Sequence, residues 1–200
     1  MIIGAPVLVD IAVTGASFYL GENNIKEDNM RRVVTGHTPD GKATVVSDTE
    51  LDANTILPLE FYKIWGADKA PMFPDDGSPP PYSTYFPPVG GFRFVIGTWP
   101  PYSAEQPENI DWNLFLEKVE EAMPGAAKYQ EKDSPGMHTT DTIDFEYIIS
   151  GEIWLELDDG KEVLLKAGDT VIQNGTRHTW HNRGSEPCNM IVCLIGAYRK

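Results

Sequence analysis

Apolar and β-branched residues occur in short runs along most of this chain, and turn-forming residues separate the runs. Residues 31–48 read RRVVTGHTPDGKATVVSD, in which two β-branched runs flank a Pro-Asp-Gly turn, so this segment predicts a β-hairpin. Two further runs, Leu59 to Trp65 and Phe92 to Trp99, have the apolar and aromatic composition of strands. The segment from Pro71 to Pro88 is dense in proline, which cannot donate a backbone hydrogen bond, so we expect an ordered or lid-like loop there.

One segment, residues 111–123, has helical periodicity. Its apolar residues recur at the spacing of one helix face: Trp112, Phe115, Leu116 and Val119. Asn109 or Asp111 can cap the first turn, and Pro124-Gly125 would end the helix. We therefore expect one amphipathic helix in the middle of the chain.

From Gly136 onward the pattern is almost entirely that of strands, with a tight turn at Asp159-Gly160. We therefore expect an all-β fold, an antiparallel jelly-roll β-barrel with an N-terminal β extension and one short helix. Residues 1–135 would supply the extension, the Pro-rich loop and the helix packed on the barrel, and residues 136–200 the core barrel motifs. The length of 200 residues suits one structural domain overall.

Charge and cysteine content limit the partners and the compartment. The formal net charge is −14, and basic residues form no cluster larger than a pair such as Arg31-Arg32, so we expect no nucleic-acid partner. Cys188 and Cys193 are separated by an odd number of positions in a strand-like run, which places them on opposite faces and disfavours a disulfide. The apolar start, Met1 to Leu20, has no basic residue ahead of its apolar stretch and is short for a membrane span. We expect a soluble, cytoplasmic protein with no membrane partner.

Two clusters of polar residues in the C-terminal part suggest a site. In the first, five polar residues share one strand parity and would leave the same face: His138, Thr140, Thr142, Asp144 and Glu146. In the second, His178 follows a turn at residues 174–176, and Trp180 lies on the same face as His178. Two histidines and a carboxylate could therefore converge inside the barrel.

At these residues the chain resembles the cupin superfamily, whose first motif runs Gly, His-x-His, a carboxylate and Gly, and whose second runs Gly, Pro-x-Gly, His and Asn. The matching positions are His138, Asp144, Gly151, Gly168, Gly175, His178 and Asn182. Thr140 stands where the family has its second histidine, and Gln173 stands where it has proline. The resemblance extends over about residues 136 to 196.

The resemblance implies a divalent metal ion, such as Fe, Mn, Zn or Ni, held by His138, Asp144 and His178. Such a two-His-one-carboxylate set leaves open coordination positions for water or substrate. The alternative is structural: the histidines and Asp144 would then only form hydrogen bonds with the backbone. No other cofactor is implied.

Glu146 should also face the barrel interior, where a carboxylate is costly to ionise, so it is a candidate general base of raised pKa or an alternative metal ligand. The alternative is that a strand twist or bulge turns it outward. We therefore assign Glu146 and Asp144 as candidate catalytic residues. Thr140, Thr142 and Trp180 are candidates for the substrate pocket. His181 has the opposite parity to His178 and His37 lies in a hairpin turn, so we expect both at the surface.

The resulting hypothesis is a metal-dependent enzyme that acts on a small molecule, with lyase, isomerase or decarboxylase chemistry on an oxygenated organic acid or aromatic compound. The alternatives are an Fe-dependent dioxygenase and a non-enzymatic cupin that binds a small ligand. We also expect a homodimer, because the chain has more strands than a minimal barrel needs and edge strands favour pairing.

Overall fold

The computed structural model describes residues 29–56, 59–102, 111–134 and 136–200. The strands of the N-terminal part are β1 (Asn29–His37), β2 (Ala43–Asp52), β3 (Asn54–Ile56), β4 (Leu59–Ala67) and β5 (Phe92–Trp99), and they are followed by helix α1 (Trp112–Ala122). The strands of the C-terminal part are β6 (Thr142–Ser150), β7 (Glu152–Glu156), β8 (Glu162–Lys166), β9 (Thr170–Gln173), β10 (Thr179–His181) and β11 (Cys188–Gly196). Short 3-10 turns lie at Ala127–Tyr129 and Asp158–Gly160.

Two antiparallel sheets form the jelly-roll barrel. One has six strands in the order β3-β4-β5-β11-β6-β9, and the other has three in the order β10-β7-β8. An apolar cluster lies between them and draws on both: Ile148, Ile153, Leu155, Leu165, Cys188 and Met190. The predicted all-β fold with a β extension and one helix is confirmed. Since β5 pairs with β11 along its whole length, strands from both sides of residue 135 share one sheet, and the proposed division there stays a prediction.

A second apolar cluster lies where α1 packs against the six-stranded sheet. Its buried members are Ile56, Phe61, Val95, Val119, Ala126 and Leu194. Asp111 caps the helix, because its carboxylate accepts hydrogen bonds from the backbone N–H groups of Asn113 and Leu114 at 3.0 and 3.2 Å. The predicted helix is thus confirmed, and the other candidate cap, Asn109, lies outside the described residues.

The β1–β2 hairpin is confirmed, and it lies beside the outer face of β4. Arg32 connects the two, since its guanidinium donates to the carbonyl of Ile64 at 3.2 Å and lies 5.5 Å from the ring centre of Trp65. The prediction that His37 is exposed is wrong. The loop after β4 packs against it, so that His37 is half-buried and its backbone N–H donates to the Asp75 carbonyl at 2.7 Å.

The segment from Pro71 to Pro88 contains no helix or strand, as predicted. Arg93 of β5 anchors this segment to the sheet. Its side chain is buried and donates to the carbonyls of Thr84, Ala67 and Phe92 and to the carboxylate of Asp68. The loop is therefore fixed by a fully hydrogen-bonded guanidinium. Among the described residues, no helix is long and apolar enough to cross a membrane.

Candidate functional site

Strand β6 places a polar row inside the barrel. Thr142, Asp144 and Glu146 are buried, and the two carboxylates are only 3 % and 5 % exposed. The alternate residues of the strand face outward, as the period of two requires. The prediction that these residues share an inward face is confirmed. Val192, which pairs with Glu146, packs against both the cluster under α1 and the cluster between the two sheets. Glu146 therefore lies next to the boundary between the two apolar clusters.

The two carboxyl groups have strongly perturbed acidity. Burial raises the pKa of Asp144 to about 6, and a hydrogen bond with Thr142 opposes the rise. Burial, and then the negative charge of Asp144, raises the pKa of Glu146 to about 8. One oxygen of each group, Asp144 Oδ1 and Glu146 Oε2, is buried without a hydrogen-bond partner. Both shifts favour the protonated form, and the shift is larger for Glu146 than for Asp144.

His138 and His178 lie side by side at the same end of the barrel. The backbone N–H of each donates to the carbonyl of the other at 3.0 Å, and the ring centres are 4.3 Å apart. Each ring donates its Nδ1–H to a carbonyl two residues earlier, Gly136 or Thr176, at 2.9 Å. Burial lowers the pKa of both rings, and that of His178 falls to about 4. Both imidazoles are consequently neutral at pH 7, with the lone pair on Nε2 available.

Polar contacts of Arg177 and Gln173 stabilise the segments that carry the two histidines. Arg177 forms a bidentate ion pair with Glu131, with its closest contact at 2.7 Å, and so ties the strip before His138 to the strip before His178. Gln173 occupies the proline position of the second motif. Its buried side chain donates to the carbonyl and hydroxyl of Thr176, and these bonds stabilise the turn that leads to His178.

The metal expectation can be tested on the donor atoms. The two imidazoles suit a divalent ion, because each presents an unprotonated Nε2 while a carbonyl fixes its Nδ1. Asp144 does not form a three-residue group with them. In the part of the chain that the structure describes, no three His, Cys, Asp or Glu side chains lie close enough together to hold a metal ion. The residues thus fit two ligands of a metal ion, and the full set of His138, Asp144 and His178 stays a prediction.

The candidate pocket residues fall into two places. The hydroxyls of Thr140 and Thr142 are 2.8 Å apart, and both residues line an open depression of about 280 Å³ that Arg199 also borders. Trp180 lies elsewhere, with its ring edge-on to His178 at 5.9 Å between centres. The structure therefore places Trp180 against His178, and the two threonines beside the depression that Arg199 borders.

Sequence reasoning missed an aromatic wall contributed by the Pro-rich loop. The Phe86 ring lies 5.0 Å from Tyr129 and 6.5 Å from His138, and Tyr85 packs edge-on against Phe86 at 5.1 Å. Burial, and then the negative charge of Asp144, raises the pKa of the Tyr85 phenol, so Tyr85 lies within electrostatic reach of the carboxylates. The only signal in the sequence is two adjacent aromatic residues within a run of prolines.

His181 and Asn182, which follow His178 in the chain, both form polar contacts with neighbouring segments. His181, expected at the surface, is partly covered, and its Nε2 lies 2.7 Å from the Glu156 carboxylate of the neighbouring strand β7. Asn182, the asparagine of the second motif, is structural. Its amide donates to the carbonyls of Trp99 and Glu186 at 2.8 Å and accepts from the N–H of Gly184 at 2.9 Å.

Comparison with known proteins points to one family. The family model described as Cupin domain matches residues 126–194. Phomopsin biosynthesis cluster protein C' of Diaporthe leptostromiformis is 42% identical over 96 residues, which cover 45% of this chain and 51% of that protein. Cupin-domain-containing oxidoreductase virC of Hypocrea virens is 34% identical over 62 residues, which cover 30% of this chain and 32% of that protein. The chain thus spans about half, or less, of the length of these curated relatives.

One further curated protein and one solved structure are also similar to this chain. Oryzines biosynthesis cluster protein J of Aspergillus oryzae is 33% identical over 95 residues, which cover 44% of this chain and 53% of that protein. Among solved structures, the cupin domain of Cnp3 from Schizosaccharomyces pombe covers 85% of this chain and 88% of that chain at 13% identity, with a TM-score of 0.41. The motif residues thus lie on the interior of a jelly-roll barrel, and the family model matches the segment that forms these strands, so residues 126–194 are similar to cupin domains.

Proposed function

We propose that this protein is an enzyme that transfers a proton on a small organic molecule, in a lyase, isomerase or decarboxylase reaction. The observation that carries the proposal is the pair of buried carboxyl groups, Asp144 and Glu146, each with an oxygen that has no partner. An uncompensated buried carboxyl group destabilises a fold, so two of them on adjacent inward positions are retained for a reason other than stability.

The two carboxyl groups have complementary roles. Without a metal ion, Asp144, with its pKa near 6, is the better proton acceptor, and Glu146, with its pKa near 8, is the better donor; if Asp144 binds a metal ion, proton transfer is left to Glu146. Two titratable groups whose environments separate their pKa values in this way form an acid and a base at the same pH. Tyr85 and Phe86 close the site from the side of the loop, so proton transfer takes place away from bulk water.

A divalent metal ion is part of the proposal. His138 and His178 would hold it through Nε2, with Asp144 as the predicted third ligand. Such an ion, when bound, supplies a Lewis acid that polarises an oxygen of the substrate. Glu146 remains the residue that moves the proton, because it lies two positions beyond Asp144 on the same inward face.

The names of the relatives support a small-molecule substrate. Two of them are called proteins of the phomopsin and oryzine biosynthesis clusters. We propose that this chain likewise acts on a biosynthetic intermediate, as a homodimer in the cytoplasm. An oxygenated organic acid or aromatic compound suits a site that combines carboxyl groups, imidazoles and an aromatic wall.

The test is deuterium incorporation in D₂O, followed by NMR, with a panel of oxygenated aliphatic and aromatic acids. Wild-type protein should place solvent deuterium in at least one compound or its product. Glu146→Gln, which keeps the shape and removes the acid, should lose this activity, while Glu60→Gln, an exposed glutamate of the same sheet, should keep it. Full activity of Glu146→Gln would refute the assignment of Glu146.

A second candidate is an Fe-dependent dioxygenase, and one specific observation favours it: two relatives, from Hypocrea virens and Neurospora crassa, are named cupin-domain-containing oxidoreductases. Oxygen consumption by iron-loaded protein on the same panel, without deuterium exchange, would select this reaction. Ligand binding without turnover by metal-free protein would select the third hypothesis, a non-enzymatic binding cupin.

A further inference from the structure

Lys63 of β4 faces the inside of the barrel. It is directly opposite Val95 of β5, which is buried, and residues that pair across antiparallel strands share a face. Phe61, two positions earlier, is also buried, and the Lys63 ammonium lies 5.9 Å from the centre of its ring. The aliphatic part of the Lys63 side chain therefore lies beside apolar residues, and its ammonium group lies on the inner face of the sheet.

The Lys63 ammonium has no carboxylate partner among the described residues. No ion pair or hydrogen bond of its side chain is present there, in contrast with Lys42, Lys118 and Lys166, whose ammonium groups lie within 4.0 Å of a carboxylate. Desolvation lowers the pKa of Lys63, and no negative charge of the described part of the chain offsets this shift. A half-buried cation without a counter-ion destabilises the folded protein unless an anion from outside joins it.

Lys63 and Glu146 lie in one row across the six-stranded sheet. Lys63 pairs with Val95, Val95 pairs with Val192 of β11, and Val192 pairs with Glu146. Three strand spacings separate the ends of the row, about 14 Å between backbones. Residues that pair across strands leave the same face of the sheet, so Lys63 and Glu146 both lie on its inner face.

The other interior cation of this sheet is already engaged. Arg93 donates to three carbonyls and to Asp68, and its guanidinium lies 4.0 Å from the ring centre of Tyr82. Phe61 on the same strand, and Val95 and Val192 along the row, are apolar. In this part of the interior, Lys63 is therefore the described cation available to a ligand.

We propose that Lys63 binds the carboxylate of the substrate and holds it along the row that ends at Glu146, so that the site selects organic acids over their neutral analogues. The inference rests on the proposed function, because it names the substrate class of the same interior site. Lys63 would act in substrate binding and orientation, and Glu146 in proton transfer. A lysine that merely covers Phe61 would make no distinction between an acid and a neutral molecule of the same shape.

The experiment is an NMR titration of full-length protein labelled with ¹³C-lysine, with benzoate as the acid probe and benzamide as its neutral analogue. Benzoate should shift the Lys63 signal, and benzamide should shift it little. In Lys63→Met, which keeps the length of the stem and removes the charge, benzoate affinity should fall about tenfold or more, the range expected for a hydrogen bond to a charged group. Lys63→Arg should recover part of that affinity.

Lys118→Met, an exposed lysine paired with Glu121 on α1, is the matched control and should bind benzoate as the wild type does. Equal benzoate affinity in wild type and Lys63→Met, tighter binding of benzamide, or no shift of Lys63 up to about 20 mM benzoate would each overturn the proposal. The same titration in Glu146→Gln separates the two hypotheses. Retained benzoate binding with lost deuterium exchange supports both, whereas retained exchange refutes only the role of Glu146.

Discussion

Strand β6 and the next strand along the chain, β7, bury opposite kinds of residue. In β7, Ile153 and Leu155 are buried while the glutamates that alternate with them are not. In β6, Asp144 and Glu146 are buried, whereas Phe145, Tyr147 and Ile149 are 41 to 44% exposed. Only Ile148, at the far end, faces inward as an apolar residue normally does.

This difference separates a strand that builds the core from one that carries function. The apolar inward face of β7 contributes hydrophobic stabilisation, whereas the inward carboxyl groups of β6 oppose folding until they are protonated or bound. The outward apolar face of β6 extends onto β9, where Ile172 pairs with Phe145 and is half-exposed. A contiguous apolar sheet face is typical of a surface that another molecule covers.

The largest expected effect is on the catalytic rate, which should depend on the inner face of β6 and not on its outer face. Glu146→Gln should lower the rate on the order of 10²-fold or more, the scale of a general acid or base, and should leave the melting temperature near that of the wild type. Tyr147→Phe, the adjacent residue on the outer face, should change the rate little. The comparison would fail if both variants lost the same activity, which steady-state kinetics on the substrate found in the D₂O panel will show.

The next effect concerns metal retention. Protein purified without chelator should contain a divalent ion, and His178→Ala should lose it after dialysis because one of the two preoriented imidazoles is gone. His181→Ala, on the opposite parity, should retain the ion. Elemental analysis by mass spectrometry measures both, and wild-type stoichiometry in His178→Ala would remove His178 from the ligand set.

Substitutions on the outer face of β6 and β9 should change the oligomeric state of the protein. We expect the protein to be a homodimer, and a charge in the apolar outer patch, Phe145→Lys or Ile172→Lys, should weaken association if that patch is the contact. Light scattering at micromolar concentration should then give a mass near 22.2 kDa for the variants and twice that for the wild type. A wild-type mass near 22.2 kDa would exclude the dimer, and unchanged variants would place the contact elsewhere.

The smallest effect is a pH dependence of stability in metal-free protein. The native pKa of Glu146, about 8, lies above its ordinary value of 4.5, so the native state retains a proton that the unfolded state loses, and stability falls as pH rises from 4.5 to 8. His178, whose pKa is lowered to about 4, opposes this trend only below pH 6.5. Between pH 6.5 and 8 the free energy of unfolding should therefore fall by about 2 kcal/mol, at about 1.4 kcal/mol per pKa unit.

Urea unfolding at the two pH values measures this change. Glu146→Gln cannot ionise, so its free energy of unfolding should depend much less on pH over that interval. Glu60→Gln, at an exposed position, should keep the wild-type slope. An equal slope in Glu146→Gln would show that another group carries the pH dependence.

Local patterns in the sequence determined much of this molecule. The period of two predicted the inward row of β6, the Pro-Asp-Gly turn predicted the β1–β2 hairpin, and the spacing of apolar residues with Asp111 as cap predicted α1. These features depend on residues close together in the chain, so alternation, turn chemistry and capping are sufficient to predict them.

Only the tertiary structure decided which distant residues meet. His37 and His181 were expected at the surface, yet a loop from residue 75 and the adjacent strand β7 cover them. Tyr85 and Phe86 reach the site because Arg93 anchors an irregular loop, and Lys63 shares a row with Glu146 because β5 and β11 lie between their strands. Such neighbours depend on strand order and loop placement, which contacts across the whole chain determine and no local period encodes.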